Sequence, residues 1–234
     1  MTTQRSPRLG FPRRVADVVA EELSPISERD KATWSKADGD LLLYVRRQRY
    51  SREESETFSY RRILFHIASQ GEPVAAGLFV EWAAPAGLLD EFLYVADAQS
   101  QADHDTADIL VGAWSDDTSP FLYGTVVRFE RLVIRSGHYS TQVWSLVSYL
   151  IDREFARRGS ILMLKAFPLE YERQTTQAPR SVYKRLRRRK LAMERYYTYR
   201  LGTRSVPGPY GKDGWMWRPL RHCEPPARWK RYKL

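Results

Sequence analysis

The first half of the chain alternates short apolar runs with polar connectors, a pattern typical of strands. Residues 40–47, 61–69 and 73–82 form apolar runs that each have the length of a strand. Gln70-Gly71-Glu72 separates the second run from the third, and a short connector with glycine indicates a hairpin. The pattern therefore predicts an antiparallel meander in this half of the chain.

Residues 121–168 predict a strand, a polar loop, an amphipathic helix and a second strand. The first strand ends at Ile134, and Gly124 interrupts it as a bulge. In the helix, apolar side chains recur about every 3.6 residues, and Gly159 ends it after two arginines. The continuous apolar run 161–167 suits a strand covered on both faces, and we predict that it lies parallel and adjacent to the first. The apolar helix positions are Val143, Leu146, Val147, Leu150, Ile151 and Phe155.

This β-loop-α-β unit resembles that of the GNAT superfamily of N-acetyltransferases. Glu130, Arg131 and Leu132 match the Glu-Arg-Leu of the family's strand, and Ile134 takes the position of a valine. In the family, the loop and the start of the helix bind acetyl-CoA, because unpaired N–H groups at a helix N-terminus hold the pyrophosphate. The resemblance implies acetyl-CoA or another acyl-CoA as cofactor. It implies these binding residues: Leu132, Val133, Ile134, Tyr139, Ser140, Thr141, Gln142, Val143 and Trp144.

The loop departs from the family's pattern at its most specific positions. Tyr139 takes the place of the usual arginine, while Ser140, Gln142 and Trp144 take the places of three glycines. Those glycines let backbone amides approach the pyrophosphate closely, and a side chain obstructs that approach. We therefore expect the binding of acetyl-CoA to be weak or absent, with Trp144 blocking the site if its ring points into the groove.

Three later segments extend the resemblance over the second half of the chain. Residues 161–172 resemble a strand that ends in Phe-Pro-Leu, residues 190–202 resemble the family's late helix, and residues 215–220 resemble its last strand. The fold that this implies is an α/β (α+β) structure with a mixed, mostly antiparallel central sheet. We expect six or seven strands with a splay between two of them, flanked by helices.

Two residues are candidates for catalysis on the basis of the resemblance. Glu130 stands where some family members place a general base, with an ion pair to a neighbouring arginine as the alternative. Tyr197 stands near the tyrosine that protonates the leaving thiolate in many members, although strict alignment places Thr198 there. Tyr196 and Tyr199 compete for this role, and aromatic packing in the core is the alternative for all three tyrosines.

The chain is organised as one domain with appendages. Residues 1–14 have little periodicity and are predicted to be a disordered arm, followed by a helix over residues 14–23. Residues 15–220 form the predicted GNAT-like domain, with a partly helical insertion at about 87–118 that could also pack as a separate lobe. Residues 221–234 form a basic tail.

Composition narrows the class of protein further. With 234 residues, 43% of them hydrophobic, the chain can bury one substantial core. A single cysteine, Cys223, excludes an intramolecular disulfide and fits a reducing cytoplasm, which is the location that we predict. We predict no membrane span, since no apolar run is long enough, and no metal site, since the histidines are scattered.

The charge is concentrated at one end of the chain. Residues 173–234 hold 18 lysines and arginines against 3 acidic residues, whereas the whole chain carries a net charge of +10. Such a surface attracts nucleic acid, acidic protein partners or other polyanions, although a solvated helix face is the alternative. The candidate polyanion-binding residues are Lys184, Arg185, Arg187, Arg188, Arg189 and Lys190.

Three functions remain open at this point. The first is an acyl-CoA-dependent N-acyltransferase that acts on an unidentified amine. The second is a catalytically inactive binding protein of the same fold, whose basic C-terminal third contacts nucleic acid or another polyanion. The third is an acyltransferase that uses a carrier-bound acyl group, as autoinducer synthases do, with the basic face contacting an acidic carrier protein.

Overall fold

The computed structural model describes residues 32–51, 57–84, 89–135, 140–168, 171, 180–221 and 223. Across these residues, eight strands form a single sheet in the order β1-β2-β3-β4-β5-β6-β8-β7. The strands are β1 Trp34–Asp38, β2 Leu41–Arg47, β3 Ser59–Ser69, β4 Glu72–Ala83, β5 Thr125–Ile134, β6 Gly159–Lys165, β7 Arg204–Ser205 and β8 Trp215–Pro219.

All neighbouring strands are antiparallel except β5 and β6, which are parallel. The predicted class, a mixed and mostly antiparallel sheet flanked by helices, is confirmed, and so is the parallel pairing of the two strands around the helix. The sheet exceeds the expected six or seven strands because β1 and β7 lack an apolar pattern. Of β1, no residue is buried, and β7 has only two residues, both exposed.

Helices cover both faces of the sheet. They are α1 Leu89–Asp97, α2 Gln101–Ala113, α3 Ser140–Phe155, α4 Arg180–Leu201 and the single turn α5 Pro209–Lys212. On one face, α3 packs through Leu150 and Phe155 against Phe79 and Phe129, whose rings stack 4.4 Å apart. On the other face, α1 and α2 pack against β4, β5, β6 and β8 in a second apolar cluster.

The predicted insertion consists of α1, α2 and two 3-10 turns, and it lies between β4 and β5. It packs on the sheet: Trp82 of β4 donates from Nε1 to Asp103 Oδ1 of α2 at 2.9 Å. The predicted disordered arm and the helix at 14–23 lie outside the described residues, as does most of the tail.

The predicted bulge at Gly124 is wrong, because β5 begins only at Thr125. Phe121 and Leu122, predicted as strand, belong to the 3-10 turn Pro120–Leu122, which Ser119 caps. Gly124 has φ +153°, and a Cβ atom there would lie 2.1 Å from the carbonyl oxygen of Arg158. A close backbone approach at the end of α3 therefore requires this glycine.

Candidate functional site

The two parallel strands part after Phe129. Their register runs from Thr125 opposite Gly159 to Phe129 opposite Leu164, whereas β5 stays paired with β4 as far as Ile134. Residues 130–134 of β5 thus extend beyond the last pair with β6, and we call the space beside them the β5–β6 gap. Three predicted cofactor-binding residues, Leu132, Val133 and Ile134, lie on this segment.

A bulge occurs where the gap begins. Phe79 of β4 lies opposite Phe129 and Leu78 lies opposite Arg131, so Glu130 is the extra residue on β5. The bulge inverts the alternation of side chains: Phe129 and Leu132 both face the α3 side, although they are three residues apart. Glu130 and Arg131 consequently line the opposite face of the sheet.

Glu130 makes the ion pair that was considered as the alternative to a catalytic role. Its Oε2 accepts from Arg128 Nη2 at 3.0 Å, and the same Nη2 lies 3.0 Å from Asp103 Oδ1 of α2. Arg128 is buried, whereas Glu130 is exposed. The buried Arg128 guanidinium thus holds the Glu130 carboxylate in place, and the carboxylate remains accessible from solvent.

The first turn of α3 contains two exposed residues. Thr141 and Gln142 are exposed and Ser140 is half-buried, while Val143 is fully buried in the α3-side core. Tyr139, the predicted binding residue that precedes the helix, lies outside the described residues. N–H groups in the first turn of a helix have no partner within the helix and can hold an anionic group.

Trp144 points away from the open end of α3 and into the core. Its side chain is 3% exposed, and Nε1 donates to Tyr196 Oη of α4 at 2.6 Å. The ring centroids of Tyr196 and Tyr197 lie 5.5 and 5.9 Å from that of Trp144. Trp144 is therefore an anchor between α3 and α4, and does not fill the space in front of the helix N-terminus.

Tyr197 lies beside Trp144, against the α3-side core. Burial, with a smaller contribution from Tyr196, raises the pKa of Tyr197 to about 12. Its phenol is therefore protonated at neutral pH and can donate a hydrogen bond. Thr198 is exposed, and Tyr199 points into solvent. The two catalytic candidates lie on opposite faces of the sheet, because Glu130 lines the face away from α3.

A pocket of about 350 Å³ lies on the sheet face opposite α3. Sequence reasoning missed it, because its side chains come from β2, β3, β4 and β5 and meet only through strand pairing. We call it the arginine-lined pocket; its polar side chains are Tyr44, Arg46, Arg62, His66, Glu130 and Arg131, and Leu64 and Leu78 lie among them.

The predicted polyanion-binding residues all lie on α4. Lys184, Arg185, Arg187, Arg188 and Arg189 are exposed, and along this fully described helix only Val182 and Leu201 are buried. Lys190 is placed differently: it is half-buried, and its Nζ contacts the carbonyl oxygen of Lys212 and lies 3.9 Å from Glu194. The exposed basic side chains of this set therefore lie within residues 184–189.

Two further findings concern the described residues alone. Within them, no group of three or more His, Cys, Asp or Glu side chains is placed to hold a metal ion. Among their helices, none is both long and apolar enough to cross a bilayer.

The comparisons with known proteins assign the chain to no family. Searches against protein-family models, curated proteins and solved structures each found no match.

Proposed function

We propose that the protein is an acyl-CoA-dependent N-acyltransferase that acts on an amine. The observation that carries the proposal is the parting of β5 and β6 after Phe129, with a bulge at Glu130. In the family that the sequence resembles, two strands splay at this place to admit the pantetheine arm of the cofactor. The connection of these strands through α3 supports the same interpretation.

The residues around the gap are compatible with an acyl-CoA. Trp144, the largest departure from the family's glycines, turns its ring into the core and leaves the first turn of α3 exposed. Ser140, Thr141 and Gln142 would hold the pyrophosphate through their backbone N–H groups. Leu132, Val133 and Ile134 would flank the pantetheine arm, with backbone amides on the gap side of β5 directed at the acyl carbonyl.

When bound, the cofactor supplies a thioester whose carbonyl carbon is open to attack by an amine. The amine nitrogen would bond to that carbon as the carbon–sulfur bond breaks, and the proton lost by nitrogen would end on the thiolate. Glu130 is an accessible carboxylate that can accept a hydrogen bond from the amine. Tyr197 keeps its proton at neutral pH and is the tyrosine that the resemblance implies as proton donor to the thiolate.

Calorimetric titration with acetyl-CoA and with CoA tests the donor site. We expect binding with a dissociation constant above about 1 µM, because Gln142 replaces a glycine that would allow close approach. Gln142→Gly should tighten binding, since it removes an exposed side chain from the first turn of α3. Gln101→Gly, at the exposed first turn of α2, is the matched control and should leave binding unchanged.

The absence of measurable heat with either ligand, in the native chain and in Gln142→Gly, would contradict the proposal. Release of free thiol from acetyl-CoA in the presence of a panel of amines is the corresponding test of activity.

A second candidate function is polyanion binding by α4. The observation that favours it is a 22-residue helix that exposes five basic side chains within residues 184–189 and buries two residues. Guanidinium and ammonium groups clustered in this way contact the phosphates of nucleic acids without reading sequence. We propose nucleic acid as the polyanion.

Charge reversal on the exposed face tests this candidate. Arg187→Glu with Arg188→Glu should abolish most RNA or DNA binding in a gel-shift titration at near-physiological salt, because phosphate contacts are lost and like charges are introduced. Thermal stability should change little, since exposed charges contribute little to folding. Native binding should also fall steeply as salt rises.

The control pair is Arg157→Glu with Arg204→Glu, which removes the same charge from exposed positions outside α4. If both double variants lost the same affinity for nucleic acid, the binding would depend only on the net charge of the chain. That result would contradict a site on α4.

A further inference from the structure

The arginine-lined pocket has an apolar floor between charged ends. Strand register places Arg46, Leu64, Leu78 and Arg131 in one row across β2, β3, β4 and β5. With strands about 4.8 Å apart, the backbones of the two arginines are separated by about 14 Å, and the leucines lie between them. The pocket is therefore suited to a ligand with a short methylene chain.

Among the described residues that line the pocket, basic side chains outnumber acidic ones. Its lining contains three guanidinium groups, from Arg46, Arg62 and Arg131, and among the described lining residues one carboxylate, that of Glu130. Arg62 is exposed and lies one row away from Arg46, at the end of the pocket where β2 and β3 pair. This distribution attracts an anionic group toward β2 and β3, and leaves Glu130 to attract a cation.

Glu130 connects this pocket with the β5–β6 gap. It is the bulged residue at which β5 leaves β6, and its side chain also lines the pocket. An ammonium or amine group held at Glu130 would lie at the edge of the gap, while the rest of the same molecule extends over the leucines toward Arg46 and Arg62. The volume of about 350 Å³ accommodates a molecule of that size.

We propose that the arginine-lined pocket receives the acceptor amine, and that this acceptor carries a carboxylate or phosphate a few atoms from its amine. The inference rests on the proposed acyltransferase function and narrows its substrate class. Arg62 holds the anionic group, Glu130 holds the amine, and Leu64 and Leu78 contact the carbon chain between them.

The test uses small amines that differ in one group. Calorimetric titration of the full chain with 4-aminobutyrate and with 2-aminoethyl phosphate should give binding, whereas butylamine, which lacks the anion, should bind about tenfold more weakly or not at all. Acetyl transfer from acetyl-CoA should follow the same order. The carboxylate and phosphate probes distinguish the two anionic groups.

Two variants locate the binding. Arg62→Gln should weaken binding of 4-aminobutyrate by about tenfold or more, because a charged hydrogen bond is lost, while Arg204→Gln on the far edge strand should leave it unchanged. Glu130→Gln should weaken binding of 4-aminobutyrate but not that of butyrate, which has no amine.

The outcomes separate this inference from the acyltransferase proposal. Acetylation of butylamine as efficient as that of 4-aminobutyrate would overturn the inference and leave the acyltransferase in place. Binding of 4-aminobutyrate that depends on Arg62, without any binding of acetyl-CoA, would support the anionic amine as ligand and overturn the acyltransferase. Equal binding of 4-aminobutyrate by the native chain and Arg62→Gln would overturn the inference.

Discussion

Replacing Trp144 by alanine is expected to lower the free energy of unfolding by about 3–5 kcal/mol, as is usual for a buried tryptophan. The side chain is 3% exposed and packs against Tyr196 and Tyr197, so its removal leaves a cavity between α3 and α4. The hydrogen bond from Nε1 to Tyr196 Oη is lost as well. Chemical denaturation followed by circular dichroism measures the change.

Two conservative variants divide this loss between packing and hydrogen bonding. Tyr196→Phe keeps the ring and removes the acceptor, and should cost about 0.5–1.5 kcal/mol. Trp144→Phe keeps part of the packing, so its loss of unfolding free energy should lie between those of Tyr196→Phe and Trp144→Ala. A loss below about 1 kcal/mol for Trp144→Ala would contradict the anchoring role.

The position of Trp144 also changes how the cofactor site is tested. From the sequence, replacing both Trp144 and Gln142 by glycine is the natural way to restore the family's loop. Since Trp144 is a core residue, its replacement by glycine would destabilise the fold. A change in the measured affinity for acetyl-CoA would then reflect lost folded protein as well as a changed site. Gln142 is exposed, so its replacement alone reports on the approach of a ligand.

The fold could be predicted where burial leaves a periodic pattern. The apolar positions of α3 recur with the helical period, and β2, β3 and β4 consist of recognisable apolar runs, so these elements were located close to their observed bounds. By contrast, β1 exposes or half-exposes every residue and is held by pairing with β2, a contact that leaves no apolar signal in the sequence.

The site could be predicted only in part, because it depends on strand register. The sequence places Glu130 on β5, but the bulge at that residue is visible only when Phe79 and Leu78 are paired with β5. Likewise Arg46 and Arg131 are far apart along the chain and share a row only through the register of four strands. The direction of the Trp144 ring was equally undecided, since its partners belong to α4.

A buried polar network was missed although the sequence contained a signal for it. Glu81 is a single acidic residue within the apolar segment of β4, a combination that usually means a buried charge with partners. Its carboxylate accepts from Arg61 Nε at 2.6 Å and from Arg158 Nε at 2.7 Å. Arg158 also donates from Nη2 to Glu154 Oε2 at 2.9 Å, and Glu154 Oε1 accepts from Trp34 Nε1 at 2.6 Å. The network thereby joins β1, β3 and β4 to the end of α3.

Replacing Glu81 by alanine is expected to lower the free energy of unfolding by about 3–5 kcal/mol, the usual cost of removing one partner of a buried ion pair. Glu81 is fully buried, and its loss leaves the Arg61 guanidinium, whose side chain is only 11% exposed, without its carboxylate. Thr125 Oγ1, which donates to the same carboxylate at 2.8 Å, loses its acceptor too. Glu81→Gln preserves the shape of the side chain but not its charge, and should lower the free energy of unfolding by less than Glu81→Ala does.

The control for this network is Glu72→Ala on the same strand. The Glu72 side chain is 77% exposed and lies 3.9 Å from Arg135, so its removal should change the free energy of unfolding by no more than about 0.5 kcal/mol. Chemical denaturation of the three variants in parallel gives the comparison. If Glu81→Ala were no more destabilised than Glu72→Ala, the Arg61–Glu81–Arg158 contacts would not hold β3, β4 and α3 together, because a buried guanidinium left without its carboxylate cannot be neutral in energy.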